Sequence, residues 1–489
     1  MVIGNPPYVR AELLSEIRPY LESTFNVFQP ASDLFAYFYE KAFLILKPHG
    51  LLGFISNTFE KTTSGRKLRQ FLKEKTQFVQ YIDFSEVVVF EGATTYPVII
   101  VAQNEPPQYP TFQFTKIPKS SQAAVIDIAQ HTSTTVEQNT LDDANWSFKA
   151  NNAQNVIAKI TQHPSVLEQF GKTYRGLLTG FNEAFIISSK EKNLLEKEDK
   201  NSSKLIKPLY EGKDILKWTS PNIDKYIIFT RRGTDIDAYP AIKKWLSKYR
   251  KQLEPRNDDT MTEGRKAGSY KWFEIQDNVA YYKLFESPKI VWANLQNASK
   301  ISYDDKGYYI NAPSVIFSCL DKALLAVFNS KLIWYFLNSI CAVRNGGYIE
   351  VKPQYFEQIP IVKYNTRQQT ALSELAEKMI DATAKLQFTV SDFLTLAYTR
   401  FPNLDAKRNL ETWYEGDWKT FDGELRKQKC VLLPKEQTEW SHYFEQERQK
   451  VQTIIKKIGD TDKEIDKLVY QLYGLTKEEI RIVEGDFTE

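Results

Sequence analysis

Asn5-Pro6-Pro7-Tyr8 stands directly behind the apolar run Met1-Val2-Ile3-Gly4, which reads as the end of a buried strand. Each residue type suits one task. Asn offers a side-chain carbonyl, proline a carbonyl without a competing N–H, and Tyr a flat ring with a polar tip. Such a set can accept the hydrogens of an exocyclic amine and stack on the ring that carries it, which is chemistry on a nucleobase. A Pro-Pro turn followed by a half-buried loop tyrosine is the plainer reading of the same four residues. The neighbours decide between the two.

Those neighbours come in a definite order. Ser32-Asp33-Leu34-Phe35-Ala36-Tyr37-Phe38-Tyr39-Glu40-Lys41-Ala42 predicts an aromatic-rich helix, Leu46-Lys47-Pro48-His49-Gly50 its stop, and Leu51-Leu52-Gly53-Phe54-Ile55-Ser56 a strand. Gln80-Tyr81-Ile82-Asp83-Phe84 and Tyr96-Pro97-Val98-Ile99-Ile100-Val101 predict two further strands, separated by Val88-Val89-Phe90-Glu91-Gly92-Ala93. With these companions, Val2 to Arg10 resembles the catalytic motif of the S-adenosylmethionine-dependent amino-methyltransferases, in the adenine-specific branch typified by TaqI. The resemblance implies that Asn5 and Pro6 accept the amine hydrogens of an extruded adenine and that Tyr8 and Phe90 clasp its ring. It also implies that Pro7, Leu34 and Phe38 line the side of the cofactor, S-adenosylmethionine. Leu34 and Phe38 read equally well as helix core.

A doubly wound methyltransferase holds that cofactor with a Gly-rich loop after its first strand and an acidic residue after its second. Both would precede Asn5. Gly50, Gly53, Gly65 and Gly92 form no Gly-x-Gly loop that opens a helix, and Gly171-Lys172-Thr173 lacks the glycine that a P-loop needs at Val166. The expected fold class is therefore α/β: a partial doubly wound methyltransferase sheet with its N-terminal half missing, then an α+β target-recognition domain and a helical C-terminal region. Such a sheet leaves an unpaired edge, so a complementing N-terminal polypeptide is an expected partner, and the chain is expected to be truncated or split.

Composition restricts the alternatives. The 489 residues carry a net charge of +3, too small by itself to demand a nucleic-acid partner. The three cysteines, Cys319, Cys341 and Cys430, follow Ser, Ile and Lys, so none matches a Pro-Cys nucleophile for a pyrimidine ring. Scattered cysteines and four dispersed histidines predict a reducing, cytoplasmic setting with no disulfide framework and no metal site. No run of eighteen apolar residues predicts a membrane span. Glu350-Val351-Lys352 imitates half of a nuclease site but lacks an upstream acid pair, and reads as strand or loop.

Turn clusters and polar stretches divide the chain into 1–105, the C-terminal half of the catalytic domain; 106–170, a connector; 171–365, a recognition domain; and 366–489, a helical region. From Lys172 to Val362 the order of elements resembles the TaqI-like specificity domain. It includes a strand at Phe185-Ile186-Ile187, a helix ending near Arg256, Pro288-Lys289-Ile290-Val291, a helix from Ala323 to Asn338, Gly346-Gly347-Tyr348 and Ile359-Pro360-Ile361. Double-stranded DNA is the implied partner. Arg231 to Lys271 holds eleven cations against six acids, which is either a solvated face or a phosphate-facing one. Loop position nominates Arg232, Arg256, Arg265, Lys271 and Arg344 as DNA contacts. The tail around Ile465 to Thr476 resembles type IIG restriction-modification enzymes, whose nuclease lies N-terminal and is not expected here. The function implied is a site-specific DNA adenine methyltransferase of a restriction-modification system. A DNA-binding specificity module without catalysis of its own is the alternative.

Overall fold

Val2–Gly4 (β1) lies parallel to Leu51–Asn57 (β2), with Gly4 opposite Phe54. This structure is a computed structural model. It describes all residues except 61, 86, 88, 91–96, 119–125, 142–145, 147, 149–150, 222, 257–262, 345–346, 406–407 and 486–489. Val88, Glu91, Gly92 and Ala93 of the loop around Phe90, and Gly346 of the glycine pair, therefore lie outside the described residues.

Four more strands complete the first sheet: Gln77–Asp83 (β3), Pro97–Gln103 (β4), Thr111–Lys116 (β5) and Ser133–Glu137 (β6). Their order is β1-β2-β4-β3-β5-β6. β4 is antiparallel to both β2 and β3, and β5 is parallel to β3, so β1, β2, β3 and β5 all run the same way. The sequence expectation placed a connector from residue 106, but β5 and β6 extend the sheet instead. The polar residues interleaved with the buried Phe112 and Val136, among them the exposed Gln113 and Thr135 and the buried Thr115, mask the apolar alternation.

Helices pack on this sheet for reasons visible in the side chains. Arg18–Thr24 (α1) precedes Phe35–Ile45 (α2), and Arg66–Lys75 (α3) follows β2. α2 buries Phe35, Ala36, Tyr39, Ala42 and Phe43. The Tyr39 hydroxyl lies 2.9 Å from Ser56 Oγ, so the helix is pinned to β2 by a hydrogen bond inside an apolar contact. Lys47-Pro48 stops the helix. Gly50 then turns so tightly that a Cβ would sit 2.8 Å from the Lys47 carbonyl oxygen.

The recognition domain is built on three smaller sheets. Its strands are Tyr174–Arg175 (β7), Ile186–Ile187 (β8), Ile206–Tyr210 (β9), Trp218–Thr219 (β10), Tyr226–Ile228 (β11), Lys289–Trp292 (β12), Leu295–Gln296 (β13), Ile301–Asp304 (β14), Tyr309–Ile310 (β15), Val315–Phe317 (β16), Val343–Arg344 (β17) and Tyr348–Glu350 (β18). They pair in the orders β10-β14-β12-β16-β7, β15-β9-β11-β8 and β13-β18-β17. Both faces of the central sheet are covered. Ile290, Trp292, Val315 and Phe317 pack into one core with the helices Lys322–Phe328 and Lys331–Ile340, while Val291 and Ile316 pack into a second core with β9 and β11. That two-sided burial explains the continuous apolar run of β12.

The single helix expected from Ala323 to Asn338 is two. Ser330 Oγ accepts the Ile333 N–H and starts the second helix, while the Asn329 amide donates to the Ile301 carbonyl. Among the described residues no single helix is long and apolar enough to cross a membrane; this bent pair, at 61°, passes on composition together and is mostly buried in the core.

Two long helices, Thr366–Arg400 and Pro434–Leu472, pack along each other. Near the recognition domain they share its core through Leu372, Ala376, Met379, Ile465 and Val469. Farther out they enclose a separate aromatic core in which Phe393 stacks on Trp413 at 4.0 Å. The helix Asn151–Ile160 also joins the recognition core through Val156 and Ile160, so the end of the expected connector belongs there.

Candidate active site and nucleic-acid face

The strand β1 carries Asn5 to the carboxyl end of its sheet, the edge where α/β folds bind ligands. Asn5 and Pro7 are exposed, Pro6 is buried and Tyr8 is half-buried. Tyr8 is held on two sides: its hydroxyl donates to the Ile55 carbonyl at 3.4 Å, and its ring meets Phe35 edge-on at 6.4 Å. Burial raises its phenol above the usual range, so the hydroxyl stays protonated at neutral pH.

The chain that follows the motif is fastened to the head of α2. Leu34 N–H donates to the Val9 carbonyl at 2.9 Å, and Asp33 Oδ1 accepts the Ala11 N–H at 3.1 Å. Burial raises the Asp33 carboxyl, while the bond from Ala11 and the charge of Arg10 pull it back. Deeper along the helix, Glu40 accepts the Asn26 and Val27 amides and fixes the loop behind α1. Asn5 to Tyr8 thus sit on a scaffold tied at both ends.

A cleft of about 540 Å³ opens beside the motif at the same edge. Arg10 lines it from beyond β1, Asn57 and Glu60 from the end of β2, Ser85 from beyond β3, Asp33 and Phe35 from the head of α2, and Arg344 from the recognition domain. Asn5 to Tyr8 are not themselves lining residues, but Tyr8 touches the wall through Phe35. Asn57 Oδ1 is buried with no hydrogen-bond partner among the described residues. An acceptor so placed is available to a ligand or to water.

Of the residues predicted from sequence, Asn5, Pro6, Pro7, Tyr8 and Leu34 come together at this edge. Phe38 lies one turn along α2 with its side chain 41% exposed, which removes the helix-core reading for it. Pro7, Leu34 and Phe38 are apolar and do not line the cleft. Phe90 is half-buried beyond β3. Arg10, Asp33 and Asn57 were missed as site residues. Arg10 directly follows the motif and could have been flagged on position; Asn57 needed the sheet register.

The predicted DNA contacts divide sharply. Arg265 is only 3% exposed and spends its guanidinium on main-chain carbonyls: Leu253 at 2.8 Å, Thr179 at 2.7 Å, Glu274 at 2.8 Å and Trp272 at 3.0 Å. It is a structural tie, which corrects the sequence expectation; one sequence carries no signal for burial of an arginine in a basic stretch. Burial brings its pKa down to about 10, still charged at neutral pH. Arg232 is likewise half-committed, donating to Ile275 and Gln276 carbonyls. Arg256 and Lys271 border a shallow depression with Tyr270 on one flank of the domain. Arg344 is exposed on the β17–β18 hairpin and pairs with Glu350 at 3.0 Å. Glu350 and Lys352 pair at 2.6 Å as structural neighbours, and no metal-holding cluster occurs among the described residues.

An α/β edge carrying an Asn-Pro-Pro-Tyr loop, joined across a cleft to an α+β domain, defines a methylase segment with a recognition partner. Comparison with known proteins gives the particulars. Residues 1–90 match the Eco57I restriction-modification methylase family, 207–361 the TaqI-like C-terminal specificity domain, and 365–469 a domain of unknown function, DUF8810. The type II methyltransferase M.XhoI of Xanthomonas vasicola is 23% identical over 383 residues, covering 74% of this chain and 68% of that protein. M.BstVI of Geobacillus stearothermophilus is 22% identical over 428 residues, covering 81% and 73%. The type IIL restriction-modification enzyme MmeI, solved in complex with DNA, superposes with a TM-score of 0.60 at 14% identity, covering 99% of this chain and 56% of that one. The chain thus spans just over half of MmeI's length, with the same fold over that span. It is a type II restriction-modification methyltransferase relative, with an Eco57I-type methylase segment and a TaqI-like specificity domain.

Proposed function

We infer that this chain supplies the base-handling loop and the target-recognition domain of a site-specific DNA methyltransferase that modifies the exocyclic amine of adenine. The observation that carries the reading is the placement of Asn5 and Pro6 at the carboxyl edge of the sheet, beside a cleft that residues of the recognition domain also line.

The target amine is buried in a duplex, so the base must leave the stack before it can react. Tyr8, fixed against Phe35, offers one face to the extruded ring, and Phe90 is the candidate for the other. The Asn5 side-chain oxygen and the Pro6 carbonyl accept the two amine hydrogens. These acceptors are in place before the reaction, so they stabilise positive charge growing on nitrogen without reorganising. S-adenosylmethionine, when bound, supplies the methyl group. Pro7, Leu34 and Phe38 would hold only its apolar side, so its polar groups need further residues. Among the described residues β1 is the terminal strand of its sheet. Its outer edge is where a donor-binding half could add, from further sequence of the same protein or from a second polypeptide.

The test is base-resolved methylation mapping of genomic DNA from cells expressing the gene in its native context. The expected result is N6-methyladenine at one sequence motif, abolished by Asn5→Ala while the purified variant still binds duplex DNA. Methylation unchanged by Asn5→Ala, or found on cytosine, would overturn the reading. Sequence-selective DNA binding with no methylation under any condition would instead favour a specificity module without catalysis.

A further inference from the structure

We propose that Arg10 and Arg344, which line the same cleft from the methylase segment and from the recognition domain, each take a backbone phosphate of the DNA strand that enters it. This rests on the reading of the chain as a DNA methyltransferase, and adds a phosphate-binding role to its base-handling segment, where no cation has been assigned one.

The argument begins with which cations are available. Arg265 is consumed by four carbonyls, and Arg232 has committed two nitrogens to carbonyls. Arg10 differs. It is exposed, lines the cleft, and makes no side-chain hydrogen bond or ion pair to a described residue. Its placement is fixed from behind, since the Val9 carbonyl and the Ala11 N–H on either side of it are both bonded to the head of α2.

The three acids that line the cleft, Glu12, Asp33 and Glu60, form no ion pair with Arg10. Asp33 faces Arg10 but accepts the Ala11 N–H, Glu60 accepts the Tyr81 hydroxyl at 3.1 Å, and Glu12 is exposed. In the recognition domain, Arg344 rests on Glu350, which also holds Lys352. Burial works against the Glu350 carboxylate, yet the two cations together hold it below its usual pKa. If Arg344 swings to a phosphate, Lys352 keeps Glu350 partnered, so the exchange leaves no stranded charge. A guanidinium fork is the side chain best matched to a phosphate's paired oxygens. One arginine from each domain would grip the strand at two points and hold the two domains in register on it.

The test uses the full chain and a duplex of random sequence, with binding followed by fluorescence anisotropy from about 50 to about 200 mM salt, where each phosphate contact contributes about 0.9 to the log–log slope. Arg10→Gln and Arg344→Gln are each expected to lower the slope by about 0.9 and to weaken binding several-fold, with the double variant losing about twice that. Arg10→Lys should retain the slope. Lys75→Gln, on the far end of α3, should leave it unchanged. Thermal melting verifies that each variant is folded. An unchanged slope in folded Arg10→Gln overturns the proposal, as does an equal loss in Lys75→Gln, which would indicate diffuse attraction only. If the wild-type chain fails to bind duplex DNA at all, the reading of the chain as a DNA enzyme fails with it.

Discussion

Arg265 lies in the most basic stretch of the chain and yet is built into the fold, and replacing it separates the two roles an arginine there could have. In Arg265→Met the side-chain volume is roughly kept while the carbonyls of Leu253, Thr179, Glu274 and Trp272 each lose a charged donor inside the protein, Thr179 keeping the Gln276 N–H. Each hydrogen bond to a charged group contributes about 1.5–3 kcal/mol. The sum is reduced by the desolvation cost of burying the guanidinium, so the net expected loss is about 3–5 kcal/mol, the range seen when a buried ionic network is broken. That is a large part of a domain's total stability of about 5–15 kcal/mol. The segment at risk is local: Thr179, Leu253, Trp272 and Glu274, from three separate stretches of the chain, all bond this one side chain. Native-state hydrogen exchange should therefore show the amides of Gln276 and Asp277, which donate to Thr179 and Leu178, losing protection by two or more orders of magnitude. Urea unfolding should show a lower midpoint. Arg265→Lys should recover little, because one ammonium cannot reach four carbonyls. A folded Arg265→Met protein with unchanged exchange and weakened DNA binding would refute this assignment and restore the phosphate-contact reading.

Three further outcomes follow from the same kind of accounting. Asp33→Ala strands the Ala11 N–H and should cost about 1–3 kcal/mol locally while lowering methyl transfer more than DNA binding; Asp33→Asn, which keeps an acceptor, should restore most of it, and equal activity in Ala and Asn would count against a positioning role. Burial raises Asp466 to about 6, above its unfolded value, while its Oδ1 accepts the Lys331 N–H. Its contribution is therefore fully present below about pH 4 and lost as pH rises through about 6. Asp466→Asn should stabilise the protein at neutral pH by about 2–3 kcal/mol and flatten that part of the pH–stability curve; denaturation midpoints at pH 5 and 8 measure it. At the stop after α2, Gly50→Ala forces a Cβ against the Lys47 carbonyl, and a melting temperature equal to wild type would show that the turn can relax.

Much of the site was legible because it is local. Asn5 to Tyr8, the helix at Phe35 and the strands from Leu51, Gln77 and Pro97 depend on short-range pattern, and the strand–turn–helix order follows from it. What stayed hidden depends on partners distant in sequence. Nothing near Arg265 announces that Thr179 and Leu253 converge on it, and nothing near Asn57 says that its neighbour strand carries the motif. β5 and β6 were passed over because their Thr, Ser and Gln residues, one of them the buried Thr115, dilute the apolar alternation. The helix break at Asn329–Ser330 escaped because residues 323–328 are apolar enough to run on, and the Ile301 carbonyl that takes the Asn329 amide is distant in sequence. Arg256, Lys271 and Arg344 keep their standing as proposed DNA contacts on the strength of exposed or half-exposed placement.

The two-sided burial of β12 and β16 bears on how such a protein could change its target sequence. Because Ile290, Trp292, Val315 and Phe317 share a core with Leu372, Met379, Ile465 and Val469, the specificity domain cannot be exchanged as a cassette cut between Ile361 and Thr366. A transplanted domain would bring a sheet face fitted to a different pair of helices. The workable exchange leaves the central sheet and the helices in place and grafts the opposite layer, β8, β9 and β11 with the helix Pro240–Ser247, whose core meets the sheet through Val291 and Ile316. Modularity in this protein runs between layers of one domain, and a chimaera designed on that division should fold where a domain swap would not.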